Sequence, residues 1–210
     1  PVWGYADAGE QVTINVSDQI KTIKADREGK WMVKLAAMPA GGPFAMTVRG
    51  TNTITFTNVM IGEVWVCSGQ SNMEFSLAGT PGSRTEIKKA TNSNIRLFTI
   101  PKTISGKTRD DVEDSWLVCH PHFADNFSAV AYFFGKTLNS QLDVPIGLVQ
   151  SAYGGSKIEP WMTIEALKQV PSLSRAVEHV AGSDQVHRVH VAEALKGLEI
   201  YLPVAKKAFA

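Results

Sequence analysis

Along the first quarter of the chain apolar and polar residues alternate; beyond it the apolar residues gather into unbroken runs. Gln11-Val-Thr-Ile-Asn-Val16, Trp31-Met-Val-Lys-Leu35, Phe44-Ala-Met-Thr-Val48 and Thr51-Asn-Thr-Ile-Thr-Phe56 are alternating or β-branched, a pattern that predicts antiparallel strands. Turn-rich Asp26-Arg-Glu-Gly29 and Pro39-Ala-Gly-Gly-Pro43 separate them, and strands at this spacing predict a small β-sandwich or jelly roll. The accessory unit so predicted covers residues 1–58, small for independent folding. The scattered basic residues between Lys21 and Lys34 read as a solvated strand edge.

Near Val59 the texture changes. Val64-Trp-Val66, Ile95-Arg-Leu-Phe98 and Pro145-Ile-Gly-Leu-Val149 are near-continuous apolar runs, which parallel strands covered on both faces require. Phe127, Val130, Ala131, Phe134 and Leu138 recur at helical spacing, and a second amphipathic stretch runs from Ile164 to Val170. Strands alternating with helices predict an α/β domain with a parallel sheet over residues 59–210. Gly182 to Ala210 reads as helix-like, interrupted by Pro203, with no function assigned.

Composition narrows the function classes. The 210 residues are 44% hydrophobic and 20% charged, ordinary globular material. Twenty-one basic against 20 acidic residues leave a net charge of +1, which gives no footprint for nucleic acid or an anionic membrane surface. No apolar run approaches the roughly 20 residues a bilayer-spanning helix needs. Cys67 and Cys119 lack metal-site spacing and are too few for a disulfide framework; they read as two buried thiols, or as one disulfide should the fold bring them together.

The strongest chemical signal is Val64-Trp-Val-Cys-Ser-Gly-Gln-Ser-Asn-Met-Glu-Phe75, an apolar strand ending at Gly69 with a helix start behind it. Ser71 is thereby placed at the carboxyl edge of an α/β sheet, where ligands bind and backbone N–H groups can stabilise an oxyanion. Ser71-Asn-Met-Glu74 also fits an S-x-x-E capping box, in which the serine only satisfies helix donors. A serine becomes nucleophilic only with a base, so both readings stand at this point. The same geometry recurs in Pro145-Ile-Gly-Leu-Val-Gln-Ser151 followed by Ala152-Tyr-Gly-Gly-Ser156, where Gly154 and Gly155 permit close backbone approach. Their N–H groups could face a substrate oxygen at Ser71 if the two strands are neighbours; the plainer reading is a glycine turn with Ser156 to Glu159 as another capping box.

Taken together, Gly62-Glu-Val-Trp-Val-Cys-Ser-Gly-Gln-Ser-Asn-Met73, Val144-Pro-Ile-Gly-Leu148 and Gly154-Gly-Ser-Lys-Ile-Glu-Pro-Trp161 resemble the sialate O-acetylesterase family of the SGNH hydrolase superfamily. Trp116-Leu-Val-Cys-His-Pro121, Phe127-Ser-Ala-Val-Ala-Tyr-Phe-Phe-Gly135 and Val48-Arg-Gly50 agree as well, so the resemblance covers residues 1–165. It implies a three-layer SGNH domain that removes acetyl groups from sugars through an acyl-enzyme on serine, without metal or other cofactor. Ser71 matches the family nucleophile, and Gly155 the glycine that lends its N–H to the oxyanion hole beside that of Ser71. Gln70, Asn72, Gly154, Glu159 and Trp161 match supporting or substrate-lining positions. The implied partner is an O-acetylated carbohydrate, and the substrate class implies an extracellular, periplasmic or lysosomal setting.

The family's W-x-Q-G-E segment does not occur in these residues, and the resemblance implies that it, and after it the D-x-x-H that supplies the base and its orienting acid, follow farther along the chain. The chain therefore reads as an amino-terminal portion with an incomplete SGNH domain, its start also cut, whose partner is the carboxy-terminal remainder of the enzyme. Among the five histidines, His120 and His122 flank Pro121 in a loop-like stretch, His187 and His190 form an H-x-x-H that reads as a solvated helix face, and the sequence suggests no partner for His179. Asp110, Asp111, Glu113 and Asp114 read as an acidic loop and not as a glycosidase pair. The competing function is a non-catalytic carbohydrate-binding or assembly module.

Overall fold

A computed structural model describes residues 1–103, 112 and 114–173. The predicted helix-like stretch 182–210, His179, His187, His190, Asp110, Asp111 and Glu113 lie outside the described residues.

The alternation of the first quarter becomes β1 (Val2–Tyr5), β2 (Gln11–Val16), β3 (Gln19–Lys24), β4 (Lys30–Val33), β5 (Gly41–Arg49) and β6 (Thr53–Ile61). They form a four-stranded antiparallel sheet of order β3-β2-β5-β6 and a separate antiparallel pair, β1-β4. Val12, Ile14 and Val16 of β2 and Trp31 and Val33 of β4 are buried while their neighbours are not, as a pleat with one wet face demands. Both sheets contribute to one apolar cluster with Val2, Met46, Val48 and Val59.

Two local expectations are corrected. Pro39 to Pro43 is not wholly a turn: Gly41, Gly42 and Pro43 begin β5, where the pairing with β6 shifts register, and such an irregularity takes in a proline that could not join a regular ladder. β1 goes unpredicted, and β3 overlaps the start of the stretch from Lys21 that reads as a solvated strand edge. β3 (Gln-Ile-Lys-Thr-Ile-Lys) has no buried residue because it is the sheet's edge, where lysines keep other strands from pairing. β6 runs past residue 58 to Ile61, since Val59 still packs into the first core.

After Gly62 the chain enters β7 (Glu63–Gly69), α1 (Ser71–Glu74), α2 (Ser83–Lys88), β8 (Asn92–Thr99), β9 (Leu117–Cys119), α3 (Pro121–Ala124), α4 (Ala129–Leu142), β10 (Ile146–Ala152) and α5 (Ile164–Lys168). The sheet order is β7-β10-β8-β9. β10 pairs in parallel with both β7 and β8, and all its residues are buried, which is why Ile146–Val149 is an unbroken apolar run; the polar Gln150 and Ser151 that follow are buried as well. β9 is antiparallel, so the sheet is mixed and not purely parallel. Among the described residues no helix is long and apolar enough to cross a membrane.

α4 covers one face of this sheet with Ala129, Ala131, Tyr132 and Gly135 buried; of the predicted stripe, Phe127 and Ala131 are buried and Leu138 packs on the core, whereas Val130 is 52% and Phe134 39% exposed. Small residues win the inward positions because the helix lies close to the strands. A methyl group on Gly135 would come within 2.5 Å of Leu148 Cδ1. Phe134 instead packs edge-on against Trp65 of β7, ring centroids 5.1 Å apart.

Glu86 of α2 ties that helix to α4, accepting the Tyr132 hydroxyl at 2.8 Å and the Lys136 ammonium. The Lys136 hydrogen bond first, and then that of Tyr132, holds the Glu86 carboxyl below its usual range. A carboxyl depressed in the folded state adds stability above its unfolded value of about 4.3 and loses it as pH falls through the folded value. Urea titrations of the wild type and Glu86→Gln should therefore differ at pH 7 and converge toward pH 3; a constant difference would refute the assignment.

Candidate active site

β7 and β10 are direct neighbours, with Gly69 opposite Ala152 and the Tyr153 N–H donating to the Gly69 carbonyl at 3.0 Å. The turns that leave their carboxyl ends are thus side by side. Gly69 ends its strand at φ +150°, and Ser71 follows as the first residue of α1, exposed. An ideal Cβ on Gly154 would lie 3.6 Å from Ser71 Cα and 2.7 Å from Glu74 Oε2, so the close approach predicted for this glycine is realised.

Neither capping box forms. The residue preceding α1 is Gln70, with no side-chain cap, and its carbonyl accepts the Glu74 N–H at 2.9 Å. The Glu74 carboxylate leaves its own helix, accepting the Gly154 N–H and the Lys102 ammonium. Ser156 does not cap either; its Oγ accepts the Trp161 indole N–H at 2.9 Å, while Ile158 precedes the short 3-10 turn Glu159–Trp161. The local motif loses to partners that the sequence cannot show, 80 residues apart for Glu74 and Gly154.

Gly155 adopts φ +78°, open to glycine at little cost, with free space where a Cβ would sit. Among the described residues the N–H groups of Ser71 and Gly155 make no hydrogen bond, whereas that of Gly154 is taken. Gln70 and Asn72 are exposed beside Ser71, and Glu159 and Trp161 are half-buried beyond the glycine turn.

The serine turn is held from behind by the start of α4. Ser128, fully buried, caps that helix by accepting the Ala131 N–H at 3.1 Å, and its own N–H donates to Gln150 Oε1 at 2.7 Å. Phe75 accepts the Ala129 N–H and Leu77 donates to Phe127, both at 2.9 Å, so residues 75–77 are zipped to 127–129. These contributors are invisible in the motif itself; only a serine ahead of a helical pattern hinted at the cap. Ser128→Ala should lower stability by about 1 kcal/mol in urea unfolding, the usual cost of a lost N-cap; an unchanged midpoint would show that the cap contributes nothing.

The described histidines stand elsewhere. β9 runs antiparallel, so Cys119 lies opposite Asn92, the first residue of β8, and His120 leaves the sheet at the end away from Ser71. Its Nδ1 accepts the His122 N–H at 3.3 Å as the cap of α3. Cys67 and Cys119 are free and buried, and burial pushes each thiol up to about 11. Asp114, the described member of the acidic loop, accepts the Ser115 N–H at 2.7 Å.

Residues 61–189 match the family described as carbohydrate esterase, sialic acid-specific acetylesterase. The sialate O-acetylesterase of Mus musculus is 33% identical over 188 residues, covering 80% of this chain and 35% of the mouse protein. That of Homo sapiens is 31% identical over 189 residues, covering 80% of this chain and 36% of the human protein. A solved carbohydrate acetylesterase from Xanthomonas citri superposes with a TM-score of 0.81 at 31% identity, over 92% of this chain and 44% of that one. The chain thus spans about a third of the length of the mouse and human relatives. With this likeness running through the serine turn, the glycine turn and the sheet between them, the chain belongs to the sialic acid-specific acetylesterase family of carbohydrate esterases.

Proposed function

We propose that this chain forms the nucleophile-bearing part of a serine carboxylic-ester hydrolase that removes O-acetyl groups from carbohydrate. The observation that carries this reading is the pairing of an exposed Ser71 with the neighbouring glycine turn, where the Ser71 and Gly155 N–H groups make no hydrogen bond among the described residues. The relatives' names, sialate O-acetylesterase and carbohydrate acetylesterase, support the substrate class.

In this mechanism Ser71 Oγ attacks the acetyl carbonyl carbon while its proton passes to a histidine base on polypeptide beyond this chain, oriented by an acid. The oxyanion so formed accepts hydrogen bonds from the Ser71 and Gly155 N–H groups. Collapse expels the sugar oxygen, which takes the proton from the histidine, and leaves acetyl on Ser71. Water, deprotonated by the same base, then releases acetate and restores the serine. The reaction as written uses no cofactor. Gln70, Asn72, Gly154, Glu159 and Trp161 support the turns or line the sugar.

We read residues 1–58 as an accessory β-sandwich and 59–210 as the amino-terminal part of a three-layer SGNH domain. The two small sheets that share one core support the first reading. An outer edge of β7 that pairs with no strand among the described residues, and Trp65, 41% exposed beside it, support the carboxy-terminal remainder as partner. An extracellular, periplasmic or lysosomal setting fits such a substrate.

The test is active-site labelling. The full-length enzyme should hydrolyse p-nitrophenyl acetate and, after treatment with an organophosphonate ester, carry the label on the peptide containing Ser71; this chain alone should do neither. Label on another serine removes Ser71 as the nucleophile, and no label in a folded full-length sample overturns the reading in favour of a carbohydrate-binding or assembly module. Turnover by this chain alone places the base within it.

A further inference from the structure

The segments that follow all three parallel strands converge on one carboxylate. Glu74 stands three residues after Ser71, on the turn that leaves β7. One of its oxygens accepts the Gly154 N–H from the turn after β10, and the other accepts Lys102 from the segment after β8. Lys102 in turn lies 5.0 Å from the centroid of the Tyr153 ring, next to Gly154. We propose that Glu74 is a positioning residue for the esterase reaction, a strap that fixes the glycine turn against the serine turn so that the Gly155 N–H meets the oxyanion formed at Ser71. This rests on the ester-hydrolase reading of Ser71.

The physical case has three parts. The Gly155 N–H lies one peptide beyond the atom that Glu74 holds, so its direction follows from how Gly154 is fixed; Gly155 itself, at φ +78° with nothing around its Cβ position among the described residues, supplies no packing to do so. Glu74 and Ser71 share one helical turn, so the strap refers the glycine to the nucleophile and not to a remote part of the fold. The side chains of Lys102 and Glu74 are 47% and 29% exposed, and an ion pair in such a setting contributes little to stability. A carboxylate held mainly by the Lys102 hydrogen bond, and also by the Gly154 N–H, ionises more readily than usual, in keeping with a charged strap. Its consequence therefore lies in geometry, where a displacement of about 1 Å costs about a hundredfold in rate.

The experiment compares Glu74→Gln and Glu74→Ala in the full-length enzyme, measuring kcat and KM for p-nitrophenyl acetate, thermal unfolding, and deuterium exchange of the peptide containing Gly154. Glutamine keeps an oxygen for the Gly154 N–H and loses the charge facing Lys102, whereas alanine loses both. The expected result is a kcat lower by about tenfold for Glu74→Gln and about a hundredfold for Glu74→Ala, with KM and melting temperature close to wild type. Exchange of the Gly154 peptide should rise in Glu74→Ala and largely recover in Glu74→Gln. An Glu74→Ala enzyme with normal kcat, a loss confined to KM, or a fall in melting temperature that accounts for the lost activity overturns the strap. A Ser71→Ala enzyme that retains its rate overturns the ester-hydrolase reading instead, and the exchange data then still decide whether Glu74 holds the turn.

Discussion

Ser71→Ala in the full-length enzyme is expected to lower turnover of an acetyl ester by about a thousandfold or more, with the fold unchanged. The size follows from what the hydroxyl does: without it no acyl-enzyme forms, and water must attack directly in a site built around the serine oxygen. Stability should hardly move, because Ser71 is exposed and its side chain caps nothing. Residual catalysis should survive, since the Ser71 and Gly155 N–H groups are main-chain donors that the substitution leaves in place. Steady-state kinetics on p-nitrophenyl acetate, with circular dichroism to establish folding, decide the matter. A rate near wild type would remove Ser71 from the mechanism.

The largest effect on stability is expected at Leu148. This side chain is fully buried at the centre of β10, between Trp65 of β7 and Leu97 of β8 in register and beneath Gly135 of α4. Leu148→Ala should cost about 2–5 kcal/mol in urea unfolding, the sum of lost transfer energy and the cavity left between helix and sheet. Gly135→Ala alone gains about 1 kcal/mol of helix propensity but drives a methyl group to 2.5 Å from Leu148 Cδ1, so it should be neutral or destabilising. With Leu148 shortened, the same methyl group occupies the vacated space. The double variant should then be more stable than the sum of the single changes predicts, by about 1 kcal/mol or more. Strict additivity would mean that the two residues do not share the packing described.

Elements whose own side chains decide their environment were legible beforehand. β2, β4 and β5 alternate because one face of each is wet, and Ile146–Val149 of β10 is an apolar run because it lies between two strands and under a helix. β1 and β9 were not legible because they are short, and β3 showed only as the solvated strand edge read from Lys21 onward, since in Gln19–Lys24 Ile20 and both lysines are exposed and Ile23 alone packs on the core. α4 shows the same limit from the other side. Its large apolar residues set the period, yet its close approach to the sheet turned Ala131 and Gly135 inward and left Val130 and Phe134 half exposed.

The candidate site divides along a similar line. By itself the sequence determined that an apolar strand ends in glycine before Ser71, that a second such strand ends before Gly154 and Gly155, and that the motif belongs to one family of esterases. Those are properties of contiguous residues, and contiguity is what a pattern records. Only the tertiary structure decided that the two strands are neighbours, that His120 and His122 lie at the far end of the sheet, and that Glu74 is a link between three loops and not a helix cap. A carboxylate three residues from a serine satisfies the nearest orphan donor unless a better one arrives. Here Lys102 and the Gly154 N–H arrive from 28 and 80 residues away, brought by strand order alone.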